Sequence, residues 1–465
     1  MSTDVIVVGA GWAGLAAAVD LARSGLGVRV LESSSIPGGR ARSFMDRVTG
    51  ETLDNGQHLM LGCYRETLDL VRTLGTHHLL TASREPIPLF LDGGERASIR
   101  SVKLPGPLHM LPSLADMRHL SVRDRLRMGR AAAVVALAGL GDARRLDSMS
   151  ASDWLEGPAG QSARAMKMFW DPLVTAMLNE EPRRASATML VVVLREGLLA
   201  GHEPSRPLLP TVGLGDLVAR PAVRAIQDHG GDVLMRTRVR GIRTRGGQAT
   251  AVCTSRGDME ADAFVLAVPS WRIAGILDGA GVSHAVLEAD RLEPSPIVTV
   301  FLRYRRPILD EPVAGLLGGR FHWLFDRNDI EPGPPRGTWS YSAVASAATG
   351  LVDDTSRDIA DAAAGEIATR IPAARRSLVV GARVVKDRRA TFRPAPGTAA
   401  LRPGPDASGL GNLFLAGDWT DTGLPATLEG AVISGRRCAD LVRGRPSVRD
   451  RPSKCKTARI PHHPG

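Results

Sequence analysis

A chain of 465 residues with 43% hydrophobic content is long enough to bury a large core and to form two domains. Uninterrupted apolar runs stay short of the ~20 residues that cross a bilayer, and the apolar N-terminus lacks the basic flank of a signal peptide. Four widely separated cysteines (Cys63, Cys253, Cys438, Cys455) exclude a CxxC redox motif and a clustered zinc site, so the expected setting is reducing and cytoplasmic, with no metal.

The richest signal comes first in the chain. Val5-Ile6-Val7-Val8 is a buried parallel strand running into Gly9-Ala10-Gly11-Trp12-Ala13-Gly14. Gly9 permits a tight turn, Gly11 a close backbone approach to a pyrophosphate, and Gly14 close packing of helix on strand. An Ala-rich helix is expected over Leu15–Ser24, then a second strand, Val28–Leu31, ending in Glu32. That carboxylate stands 23 residues after Gly9, where it can accept from both hydroxyls of an adenosine ribose, which favours an unphosphorylated ribose. Gly38-Gly39-Arg40 follows, with glycines that let the backbone pass near a ligand and an Arg that can face phosphate oxygens. Together these residues read as an FAD-binding βαβ unit.

Next comes an insert, residues 63–210. It holds eight of the 13 methionines, and an apolar segment, Ala131 to Leu140, flanked by Arg127, Arg130, Arg144 and Arg145. Met side chains suit either a pocket for an irregular hydrocarbon or ordinary core filling, and the apolar segment suits either a core helix or a membrane interface. From Thr211-Val212-Gly213-Leu214-Gly215 the pattern returns to a helix, short strands around Val233–Met235, Val239–Arg243 and Ala249–Cys253, and a buried strand over Ala263–Val268. A second insert, 269–390, precedes a last strand, Leu413–Asp418, and a helix expected from about Pro425 to Val442, with Pro suited to the first turn.

The resulting expectation is an α/β fold. Residues 1–62, 211–268 and 391–442 form a discontinuous Rossmann-like FAD domain, and 63–210 and 269–390 form an inserted α+β substrate domain. The net charge of +10 is concentrated at the end, where Arg443 to Gly465 hold seven Lys or Arg against one Asp. With its four prolines, 443–465 reads as a disordered basic tail, either solvated or drawn to anionic lipid. Nucleic acid is not an expected partner, since aromatics are scarce and no binding motif is present.

These motifs resemble the amine-oxidase-like flavoprotein superfamily, in its isoprenoid branch with phytoene desaturases, and within it the hydroxysqualene dehydroxylases, also called squalene-associated FAD-dependent desaturases. The resemblance spans about Thr3 to Val442. It rests on the Gly9–Arg40 pattern, on Leu53-Asp54-Asn55-Gly56-Gln57-His58-Leu59, on Trp170-Asp171-Pro172-Leu173 with Leu178-Asn179 and Arg184-Ala185-Ser186-Ala187, and on Leu415–Thr420 continuing through Gly423–Ala431. Glu180-Glu181 departs from it, being more charged than relatives tend to be. The resemblance implies non-covalently held FAD, bound by Gly9, Gly11, Gly14, Glu32, Gly39, Arg40, Gly56, Gln57, Val239, Gly417, Asp418, Leu428, Gly430 and Ala431. It implies that Asp418 accepts from the ribityl chain or caps the last helix, and that this helix aims its N-terminus at the flavin.

The implied reaction is reduction of hydroxysqualene, a C30 allylic alcohol, to squalene in squalene and hopanoid biosynthesis. Candidate proton donors are His58, Asp171 or a water. No second strand-GxGxxG-helix unit occurs, so an external electron donor, reduced nicotinamide or a redox protein, is expected, with peripheral contact at the inner face of the membrane as a further expectation. The rival readings are an isoprenoid desaturase with hydride flowing the other way, a flavin amine oxidase, disfavoured by only three tyrosines, and a non-catalytic prenyl-binding protein.

Overall fold

The computed structural model describes residues 4–137, 146–331 and 337–444. Beyond Gly444, the expected basic tail lies outside these residues, as do positions 138–140 of the expected apolar segment; its earlier part belongs to the helix Val122–Leu137.

A five-stranded, all-parallel sheet forms one domain in the order Asp232–Leu234, Val28–Leu31, Val5–Val8, Ala263–Leu266, Leu413–Leu415. Val5–Val8 is buried along its whole length because both faces of the sheet are covered. Its period-2 alternation sorts the side chains. Val5 and Val7 join the core under the first helix, Trp12–Arg23, and the C-terminal helix, Leu428–Val442. Ile6 and Val8 join the opposite core with Ile273, Ile276 and Trp419. Three antiparallel strands, Val239–Arg245, Gln248–Thr254 and Gly257–Glu260, form a separate meander whose last strand was not expected.

The other domain is α+β, as expected. A mixed seven-stranded sheet runs in the order Val379–Phe392, Pro294–Tyr304, Trp339–Ala345, Trp323–Asp326, Val313–Leu316, Ile87–Phe90, Arg96–Ile99. The helix Ser356–Arg370 buries Ile359, Ala363 and Ile367 against it. A helical lobe between about 111 and 199 has its own core, in which Met117, Met128, Met166 and Met189 are buried beside Trp154, Trp170 and Leu190. Most of the methionines are therefore core filling; Met177 alone of the eight reaches the cleft described below.

Two expected boundaries shift. Residues 64–82 were assigned to the substrate insert, yet Leu70 and Val71 pack in the core of the parallel sheet, with Leu68, Leu74 and Leu80 against it. Residues 270–292 likewise bury Ile273, Ile276, Val286 and Leu292 on the sheet's other face. The last helix begins at Leu428 rather than Pro425, because the Thr427 hydroxyl caps it by accepting from the Gly430 N–H at 3.0 Å. Among the described residues, Cys63, Cys253 and Cys438 are free, and no helix is long and apolar enough to cross a membrane.

One buried carboxylate fixes the loop that follows the hairpin Ser43–Met45/Thr52–Asp54. Asp54 accepts from Ser43 Oγ at 2.5 Å and from the Leu214 N–H at 3.1 Å. Gly213 and Gly215 are required there, since a Cβ on either would lie 2.7 or 3.0 Å from Ser43 Oγ. Burial pushes the Asp54 carboxyl up to about 7, against the lowering pull of the Ser43 and Leu214 hydrogen bonds. A raised folded-state pKa binds the proton more tightly in the native state, so the stability it contributes is complete below the unfolded value of 3.8 and is lost as pH rises through about 7. Asp54→Asn is therefore expected to raise the melting temperature by about one to two degrees at pH 8, on the order of 1–2 kcal/mol, and by much less at pH 4.5. A difference independent of pH in thermal melts would show that Asp54 is ionised throughout.

Candidate functional site

Where the two domains meet there is a cleft of about 920 Å³, at the upper end of the range for cofactor and ligand sites. At one end it is walled by Glu32, Val239, Thr237 and Ile276, in the middle by Gly39, Arg40, Gly417 and Asp418, and at the other end by Gly56, His58, Leu428 and Ala431. Gly9 and Gly11 line it as well. Gly9 and Gly39 are both cramped by a positive φ and a close backbone neighbour. Gly9 has φ +107° and a Cβ there would lie 2.5 Å from the Ala267 carbonyl oxygen, while Gly39 has φ +62° and would place a Cβ 3.1 Å from Gly11 Cα.

The first helix starts in this wall, with Gly11 as its N-cap and no side-chain hydrogen bond capping it. No acidic residue occupies its first turn, so its N–H donors and positive end are available to an anion. Glu32 ends the adjacent strand, accepting from the Ala10 N–H at 2.8 Å and the Ser34 N–H at 2.7 Å. Oε1 also accepts from Ser33 Oγ at 3.3 Å, while Oε2, with the Ala10 N–H alone, retains a lone pair for a further donor. Arg40 donates to the Asp418 carboxylate and, at 3.1 Å, to the Ala390 carbonyl, joining the first segment of the chain to the last. These features fit an extended dinucleotide with its pyrophosphate on the first helix.

At the far end, His58 Nδ1 lies 2.6 Å from the Gly56 carbonyl oxygen. A carbonyl only accepts, so Nδ1 carries the hydrogen and Nε2 is the nitrogen left to titrate. Burial holds the imidazole below its usual pKa of 6.5, opposed by the Gly56 hydrogen bond and by the charge of Asp387. Asp387, also in the wall, accepts from Asn55 Nδ2 at 2.7 Å. Apolar surface here comes from Leu59, Ala176, Met177, Leu178 and Ile297.

Four expected site residues fall outside the wall. Gly14 serves packing, since a Cβ there would sit 2.0 Å from the Gly9 carbonyl oxygen. Gln57 points toward the seven-stranded sheet, where its Oε1 accepts from Ser342 Oγ at 3.4 Å. Gly430 is taken up in the Thr427 cap. Asp171 stands in the first turn of the helix Asp171–Leu178, about 10 Å along the axis from the residues of that helix that reach the cleft. Its carboxyl is raised by burial, then by the charge of Glu156, and its position away from the cleft wall lends no support to its assignment as a proton donor. The charged pair that departs from the resemblance is also structural, as Glu180 is buried against Arg393 at 2.9 Å.

Arg402 and Trp271 had no signal of their own, and Asn179 stood out only as part of the Leu178-Asn179 motif. Asn179, in the left-handed region at φ +52°, donates to Thr391 Oγ1 at 2.8 Å and accepts from the Ala347 N–H at 2.6 Å, pinning the helical lobe to the sheet. Arg402 is buried over the Phe392 ring and donates to the carbonyls of Asp418 and Thr420 at 3.1 and 2.5 Å. Burial lowers its pKa to about 10. Trp271, in the cleft wall, is stacked by Arg40 and Arg389.

The fold and cleft define an FAD-dependent oxidoreductase, and residues 12–443 match the family of flavin containing amine oxidoreductases. The solved structure of putrescine oxidase bound to putrescine superimposes with a TM-score of 0.71 at 19% identity, covering 96% of this chain and 100% of that one. Hydroxysqualene dehydroxylase of Rhodopseudomonas palustris is 35% identical over 451 residues, covering 95% of this chain and 99% of the relative. Zeta-carotene desaturase of Arabidopsis thaliana is 26% identical, with 94% and 85% covered. The chain belongs to the hydroxysqualene dehydroxylases within the flavin containing amine oxidoreductases.

Glu32→Ala removes the acceptor for the Ala10 N–H and the carboxylate that the cleft offers to a ribose hydroxyl. It is expected to lower flavin retention about tenfold or more, read as flavin absorbance per protein after desalting, whereas Asp171→Asn leaves retention unchanged. Full retention by the Glu32 variant would place the adenosine elsewhere.

Proposed function

We propose that this chain reduces hydroxysqualene to squalene, replacing an allylic hydroxyl with hydrogen. The observation that carries this reading is full-length relatedness to a hydroxysqualene dehydroxylase. Support comes from the apolar wall at the end of the cleft where His58 stands. When bound and reduced, FAD supplies the hydride. The expected site residues that line the cleft would hold it: Gly9, Gly11 and the first helix at the pyrophosphate, Glu32 and Val239 at the adenosine, and Arg40 and Asp418 near the middle.

The protein's own tasks are to place the alcohol, protonate its oxygen and exclude water. His58 is the one imidazole in the cleft wall among the described residues. In its imidazolium form, Nε2–H is the proton for the leaving oxygen, and Asp387 steadies the positive ring. Leu59, Met177, Leu178 and Ile297 shield the resulting allylic cation from recapture by water. Asn179, locked to the sheet, keeps the Met177–Leu178 wall in place.

In this reading the reductant comes from outside the chain. Gly213 and Gly215 are consumed by packing on Ser43, and Gly411 packs against Gln248, so these glycine pairs serve contacts within the fold. A reduced nicotinamide or a redox protein would fill that role. Desaturation of a carotenoid-like chain is the second reading, favoured by relatedness to a zeta-carotene desaturase; it uses the same wall with hydride leaving the substrate.

Anaerobic incubation of photoreduced protein with hydroxysqualene is expected to give squalene, while the oxidised protein leaves phytoene unchanged. The reverse result would favour the desaturase. Because burial lowers the His58 pKa and the protonated form is the active one, kcat/KM should rise as pH falls through a value below 6.5. His58→Gln is expected to retain flavin, lose this acid limb and lower kcat about 100-fold or more. A variant with unchanged rate and pH profile would assign the proton to another group.

A further inference from the structure

Half of the large apolar side chains that are strongly exposed among the described residues fall in one stretch. Leu104, Leu108, Leu111, Val122, Leu126 and Val134 are 46% to 70% exposed, six of twelve such residues. Isolated exposed leucines are ordinary, whereas a cluster marks an interaction surface. The helix Val122–Leu137 turns Met128, Ala131 and Val135 inward. Its outer ridge is Val122, Leu126, Arg130 and Val134, spaced four apart and so on one face. The short helix Leu111–Asp116 lies beside it: Arg125 Nη1 donates to the Ala115 carbonyl at 2.9 Å, and a Cβ on Gly129 would lie 3.5 Å from Leu114.

The same stretch is strongly basic. Residues 100–134 hold seven Lys or Arg against two Asp, and both Asp are occupied, Asp116 by the Ser98 hydroxyl and Asp124 by that of Ser121, each at 2.6 Å. Lys103, Arg118, Arg123 and Arg130 are exposed. A second copy docked on this face would set these charges against their own duplicates, whereas an anionic bilayer meets both the apolar ridge and its basic flanks. The inner side of the lobe faces the cleft, since Met128 and Val135 share one core with Leu178, which lines it.

We propose that the face formed by Leu104–Leu111 and the outer ridge of Val122–Val134 seats the protein on an anionic lipid surface, one lobe's thickness from the cleft. It deepens the reading of a hydrocarbon substrate and rests on that reading only for its purpose. The polyisoprenoid alcohol would then pass from the bilayer to the cleft without crossing water.

The test is flotation of the full-length holoprotein with phosphatidylcholine vesicles, with and without phosphatidylglycerol. Binding is expected with phosphatidylglycerol and should weaken at high salt. Leu108→Asp with Leu126→Asp is expected to lower partitioning about tenfold or more, with flavin content, sedimentation and turnover of detergent-dispersed hydroxysqualene unchanged. Arg123→Glu with Arg130→Glu should remove the phosphatidylglycerol preference. The proposal is overturned if the leucine pair leaves vesicle binding intact while deletion of residues 445–465 abolishes it, or if that pair instead dissociates a dimer or a complex with an acidic protein. Vesicle binding without turnover of hydroxysqualene would defeat the reaction assigned above and leave this face standing.

Discussion

The first helix is held so closely that no methyl group fits at two of its contacts, and the cleft depends on this. A Cβ on Gly14 would lie 2.0 Å from the Gly9 carbonyl oxygen, and one on Gly435 would lie 2.0 Å from that of Ala13. Real side chains never tolerate such distances, so strand, first helix and last helix meet through bare backbone at these points. That closeness brings the uncapped start of the first helix and the start of the last helix to the same cleft. The helix ends supply partial positive charge without ionised side chains, a fixed field that costs no reorganisation when an anion arrives.

Around this rigid centre the charged groups act as fasteners between distant segments. Arg40 and Asp418 are 378 residues apart in sequence and meet in the cleft wall. Arg402, buried and donating to successive carbonyls, shapes the turn that carries Asp418. On the other side, Glu429 leaves the C-terminal helix to accept from the N–H groups of Glu66 and Thr67 at 3.0 and 2.9 Å, capping the start of the helix Arg65–Thr73. The dinucleotide domain is thus assembled from separate stretches whose junctions are hydrogen-bonded and whose faces are apolar.

What was legible in the sequence is what local physics determines. Four β-branched apolar residues before a glycine turn, and an acidic residue at the end of the next strand, leave one economical arrangement, and both strands stand where expected. Positions set by competition between neighbours were less legible. Pro425 is a good first-turn residue, but the Thr427 hydroxyl two positions later satisfies an orphan N–H and moves the helix start to Leu428. Gln57 and His58 are adjacent in a loop without strand periodicity, and only His58 reaches the cleft while Gln57 meets Ser342. Asp387 was invisible because it comes from a long strand, Val379–Phe392, with no motif around it. Domain membership of 64–82 and 270–292 is decided by which apolar face each finds, a tertiary property that composition does not carry.

The two halves of the site differ in how they can change. The dinucleotide end is built largely from backbone and helix termini, with side chains excluded by contact at Gly9, Gly14 and Gly39, so it has little freedom to vary there. The apolar end is built from ordinary side chains, Leu59, Met177, Leu178 and Ile297, on elements held by a few polar pins such as Asn179 to Thr391. Swapping apolar side chains of similar size there costs little stability, so substrate shape can drift while the cofactor end stays fixed. A fold shared with an amine oxidase at 19% identity and a lineage shared with a carotene desaturase at 26% are what such a division permits. The direction of hydride flow is then set by the proton chemistry placed beside the apolar wall rather than by the fold. In the proposed reaction that chemistry would come from His58, whose loop follows Asp54, a residue held by the Leu214 N–H of the dinucleotide domain.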